Sequence, residues 1–126
     1  MNAEPMGRRD LGSNGHGTGH WWQQRVSAIA LVPLLVWLVI SLASVPVADR
    51  PSMLQWIRSG MNALWLVALV LAAAQHSYLG IRVIVEDYVS NLKGRAATVV
   101  MLQFIHLVMA GAGVLAVLRV ALGAQP

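Results

Sequence analysis

MNALWLVALVLAAAQHSYLGIRVIV, residues 61–85, runs for 25 positions with one formally charged side chain, Arg82. At about 1.5 Å of rise per residue, a helix of this length covers more than the about 30 Å of a bilayer's hydrocarbon core. Two further stretches repeat the pattern on either side: SAIALVPLLVWLVISLASVPVA (27–48) and ATVVMLQFIHLVMAGAGVLAVLRVAL (97–122). Each is long enough to span, so the fold class is all-α, a membrane protein of three transmembrane helices. Residues 1–26 form a polar head and 123–126 a short tail. The connecting segments are ADRPSMLQWIRSG (48–60), broken by Pro51, and EDYVSNLKGRA (86–96), broken by Gly94; both have the turn and charge signals of interfacial loops. Pro33 falls near the start of the first span, where a missing backbone donor costs least.

Composition agrees with lipid as the solvent. Of the 126 residues 57% are hydrophobic and only 11% charged, too little polar surface for a soluble domain of this size. The chain has no cysteine and therefore cannot ligate an iron–sulfur cluster by itself; any such cluster must sit on a partner. Nine Lys and Arg give a net charge of +4, but they are dispersed rather than gathered into a stripe, which argues against nucleic-acid binding. The first 25 residues, MNAEPMGRRDLGSNGHGTGHWWQQR, lack an apolar core, so they are expected to remain attached rather than act as a signal peptide.

Charge also orients the chain. Arg8, Arg9, Arg25, Arg82, Lys93 and Arg95 flank one side of the three spans, and Arg50, Arg58 and Arg119 the other. The positive-inside rule places the N-terminus and the second loop in the cytoplasm and the C-terminus outside. Three helices this poor in polar groups make a poor pore or transporter, and a larger helix bundle is expected.

Polar residues inside the spans are therefore informative. On a helix, positions 76, 80, 83 and 87 share one stripe, with 87 about 20° from 76 after about 16 Å of rise. His76 lies too deep for water to satisfy both ring nitrogens. A neutral imidazole there is either an axial ligand for haem iron or a histidine hydrogen-bonded to another helix. Gly80, one turn on, leaves room for a planar cofactor or for close helix packing. Asp87 and Tyr88 fall where the helix leaves the hydrocarbon. Tyr88 suits an aromatic belt, yet its phenol is also a donor within reach of a quinone carbonyl arriving through the bilayer. Arg82 and Glu86 are spaced for an i, i+4 ion pair.

The pattern H-x3-G-x6-D-Y, here His76, Gly80, Asp87 and Tyr88, resembles the second helix of the smaller membrane-anchor subunit of succinate dehydrogenase, respiratory complex II. The segment HWWQQR-VSAIALVPL, entering the first helix from His20, resembles the same family's amino-terminal signature. The resemblance covers essentially the whole chain. It implies that His76 is an axial ligand of a haem b shared with the larger membrane-anchor subunit, with Gly80 packing against that haem. It also implies that Tyr88 hydrogen-bonds ubiquinone while Asp87 organises the site, and that Arg25 lies near the haem propionates or the quinone pocket, where a plain interfacial anchor is the alternative. FAD and iron–sulfur clusters would belong to the flavoprotein and iron–sulfur subunits that the anchor docks, at a bacterial inner membrane.

The function so implied is electron transfer from succinate to ubiquinone, with no succinate chemistry in this chain. A fumarate reductase anchor is the related alternative, and a structural or transport-associated membrane protein without haem the alternative of another class. His106, on the third span, falls near the depth of His76 and leaves an in-chain pair open. His16 and His20 lie in the glycine-rich head.

Overall fold

The computed structural model describes residues 15–123, which form four helices: α1 (Gly15–Ala43), α2 (Arg50–Arg58), α3 (Gly60–Tyr88) and α4 (Leu92–Ala121). Three of them, over Trp21–Ala43, Gly60–Tyr88 and Leu92–Ala121, are long and apolar enough to cross a membrane. No strand occurs among the described residues.

The helices depart from the expected bounds at four places. First, α1 begins at Gly15, so much of the polar head is continuous with the first span. Once the apolar turns are fixed, extending a helix needs no new nucleation, and no proline stands between residues 15 and 32. Second, Pro33 consequently lies well inside α1. There it removes a backbone donor, a loss that transmembrane helices tolerate where neighbouring groups re-satisfy the freed carbonyl. Third, α1 stops at Ala43, short of residue 48: Ser44 and Val45 donate to the carbonyls of Ser41 and Leu42, a tightened last turn, and Pro46 follows.

Fourth, the two breakers do the reverse of breaking. Pro51 sits in the first turn of α2, where its missing N–H is an orphan in any case. Asp49 caps that helix by accepting from the Ser52 amide at 3.0 Å and from the Ser52 hydroxyl. These two bonds, the hydroxyl's foremost, hold the Asp49 carboxyl below the usual carboxylate range. Gly94 lies inside the first turn of α4, whose start is capped by Asn91 accepting from the Lys93 amide. Only Val89, Ser90 and Asn91 separate α3 from α4, so these two helices form a tight antiparallel hairpin.

α3 is the hub. α1 and α4 each pack along it, α2 lies against α3 and α4, and among the described residues no close approach joins α1 to α4. Such an array has almost no interior: Leu34, Ala63, Leu79 and Ser27 are the only buried side chains described. The α3–α4 seam closes at Gly113, where an added Cβ would come within 2.9 Å of Val70 Cγ1. At the end opposite His76, the indoles of Trp56 (α2) and Trp65 (α3) each stack on Trp37 (α1) at 5.8 Å between centroids. Trp56 Nε1 also donates to Ser41 Oγ at 2.8 Å, and Asn62 Nδ2 donates to the Trp56 carbonyl at 2.8 Å. Arg58 reaches the carbonyl of Val120 at the last turn of α4 at 3.4 Å, where a cation complements the helix dipole.

Candidate functional site

His76 is half-buried on the flank of α3 that faces α1. Its Nδ1 stands 3.1 Å from the hydroxyl of Ser27. Its Nε2 takes no hydrogen bond among the described residues, so one ring nitrogen remains available to a metal. No cluster of three or more metal-ligating side chains occurs among the described residues. An axial haem ligand is a single imidazole, and His76 meets that requirement alone.

Gly80, one turn further along α3, does not face open space. A Cβ there would touch Gln24 Nε2 of α1 at 3.6 Å, an ordinary contact. The stripe formed by His76 and Gly80 is thus partly covered by α1, through Ser27 and Gln24. The expected gap for a planar group is narrower than the glycine alone suggests. Gln24 Oε1 is buried and has no hydrogen-bond partner.

Twelve residues beyond His76, α3 ends on Asp87 and Tyr88. Tyr88 is 85% exposed, and among the described residues neither side chain has a hydrogen-bond partner. The adjacent acid behaves differently. Glu86 accepts from Arg82 Nε at 2.7 Å, the expected i, i+4 pair, while Arg95 Nη1 approaches the Glu86 carbonyl at 3.5 Å. Of two neighbouring carboxylates, one is tied to the helix and the other left open. Arg25 lies over the ring of Trp21 at 4.7 Å, one turn back on its own helix, which holds its exposed guanidinium at the same end of the bundle as Tyr88.

His106 is engaged at both ring nitrogens. Nδ1 is 2.8 Å from the Leu102 carbonyl, to which it must donate, and Nε2 is 3.2 Å from the Ser77 hydroxyl. The ring also meets Tyr78 edge-on at 5.8 Å. His76 and Ser77 are adjacent on α3, yet His76 bonds Ser27 of α1 and Ser77 bonds His106 of α4, so the two histidines engage different flanks of α3. The side chains of His16 and His20 lie outside the described residues. Sequence reasoning missed Ser27, Gln24 and Ser77. Ser27 pairs with a residue 49 positions away, and no local pattern announces such a partner.

Comparison with known proteins follows the same outline. The family described as succinate dehydrogenase/fumarate reductase transmembrane subunit matches residues 5–117. The succinate dehydrogenase hydrophobic membrane anchor subunit of Rickettsia conorii (strain ATCC VR-613 / Malish 7) is 31% identical over 109 residues, 86% of each chain. The subunit of the same name from Rickettsia bellii (strain RML369-C) is 28% identical over 93% of this chain and 94% of its own. That of Paracoccus denitrificans is 32% identical over 90% and 88%.

Proposed function

The chain belongs to the succinate dehydrogenase/fumarate reductase transmembrane subunit family, and from that premise we propose that it is the smaller membrane anchor of a succinate:ubiquinone oxidoreductase. In this reading it holds the flavoprotein and iron–sulfur subunits, which carry FAD and the clusters, at the cytoplasmic face of a bacterial inner membrane. With the larger membrane-anchor subunit it encloses a haem b and forms part of the ubiquinone site. Succinate oxidation rather than fumarate reduction is the direction supported by the names of the relatives.

The observation that supports the reading is the exposed end of α3, where the side chains of Tyr88 and Asp87 have no hydrogen-bond partner among the described residues. The Tyr88 hydroxyl donates to a quinone carbonyl, and the Asp87 carboxylate sets the polarity around that bond. Arg25 supplies fixed cationic donors suited to carboxylates, here those of the haem or the polar rim of the quinone pocket. His76 would hold the haem iron through Nε2, and Gly80 lies on the same stripe. When bound, haem b would supply one-electron storage for a two-electron acceptor; the positioning and electrostatics are the protein's.

Replacing Tyr88 by Phe tests this directly, because it keeps the ring and deletes the donor. A net bond of ~0.5–1.5 kcal/mol predicts a slowing of succinate-dependent quinone reduction by about two- to tenfold. Reduction of a soluble dye, which takes electrons upstream, should stay at the wild-type rate in the same membranes. Equal quinone turnover in wild type and Tyr88→Phe would leave Tyr88 as a belt residue and remove the site from this helix end.

A further inference from the structure

The geometry points to Ser27 as the residue that positions His76 for its metal, an inference that rests on the haem reading above. Ser27 is the only buried polar residue described in this chain, 7% exposed, at the α1–α3 contact. Its Oγ is 2.9 Å from the Gln24 carbonyl and 3.1 Å from His76 Nδ1. A hydroxyl carries one proton. Given to the Gln24 carbonyl, that proton leaves Oγ an acceptor toward the imidazole, and Nδ1 must then carry the ring hydrogen. Both contacts are satisfied in that arrangement.

The reverse arrangement sends the hydroxyl proton to Nδ1. It satisfies only one contact and sets the Oγ lone pairs against the Gln24 carbonyl oxygen. The arrangement with two bonds is therefore the stable one. It places the lone pair on Nε2, the nitrogen that has no other partner among the described residues. A ligating imidazole needs this division: one nitrogen donates to a fixed acceptor, and the other is left unprotonated for the metal. Ser27 thus sets both the tautomer of His76 and, through a bond from a neighbouring helix, the rotation of its ring. His106 makes the contrast, because its two nitrogens are both occupied within the chain.

An acceptor on Nδ1–H raises the basicity of a metal-bound imidazole and favours the oxidised metal. The test compares Ser27→Ala, Ser27→Thr and His76→Leu in the assembled complex, with haem potential and low-spin electron paramagnetic resonance as readouts. Ser27→Ala should keep the subunits assembled, shift the haem midpoint potential upward and change the low-spin g values. Ser27→Thr, which retains the hydroxyl, should restore both. Wild-type potential and g values in Ser27→Ala, or the same shift in both serine variants, would overturn the positioning role. If Ser27→Ala loses haem outright, retention in Ser27→Thr supports the role and loss in both overturns it. The haem reading itself fails separately, by an unchanged spectrum in His76→Leu.

Discussion

At the scale of the residue, the two intramembrane histidines separate by what their nitrogens already hold. His106 is satisfied by Leu102 and Ser77, whereas one nitrogen of His76 has no hydrogen-bond partner among the described residues. Optical difference spectra of the assembled complex should therefore lose or markedly change the b-type band in His76→Leu and retain it in His106→Leu. The second variant should instead lower thermal stability by ~0.5–1.5 kcal/mol, since it removes the hydrogen bond to Ser77 and an aromatic contact. That His76, Gly80, Asp87 and Tyr88 share one helix, in this order, was legible from the apolar run and helix geometry, whereas the roles expected of them came from the family resemblance. What α1 does to them was not legible. Neither the Ser27 bond nor the Gln24 side chain over Gly80 follows from spacing along α3, because both depend on how a second helix is rotated against it.

At the scale of the element, the spans could be found from the apolar runs, but their ends were set by capping and by continuation. Pro51 and Gly94 looked like breakers and became first-turn residues, because a helix start tolerates a missing donor and a capped start tolerates glycine. The Asp49 cap gives this end of the molecule a pH dependence. A carboxyl whose folded pKa is depressed stabilises the fold above its ordinary titration range, and that contribution disappears as pH falls through the folded value. Acidification should therefore loosen α2 and weaken the near-ultraviolet dichroism of the Trp37–Trp56–Trp65 stack. Asp49→Asn should remove the pH dependence while keeping a cap. On the other seam, Gly113→Leu forces a side chain into Val70 and should cost ~1–3 kcal/mol of thermal stability, as overpacking does. Gly80→Ala, with only an ordinary contact at 3.6 Å, should leave the α1–α3 pairing intact.

At the scale of the whole molecule, three helices arranged around one hub leave most large apolar side chains uncovered, among them Val39, Ile40, Phe104 and Val108. In the function proposed above, lipid and the other helices of the complex are the surfaces that cover them. The charge asymmetry across the spans predicts that a reporter fused after Pro126 is active only in the periplasm, since three spans starting in the cytoplasm end outside. Activity on the cytoplasmic side would reverse the orientation or reduce the number of spans. Because α1 and α4 each pack along α3 and have no close approach to one another among the described residues, the time at which α3 emerges from the ribosome matters. α1 leaves the ribosome first and waits in the bilayer without a mate; α3 arrives and pairs with it; α4, emerging last, finds its docking face already in place. A released chain truncated before Leu92 should therefore already hold α1 and α3 together, and crosslinks between them should form in the absence of α4.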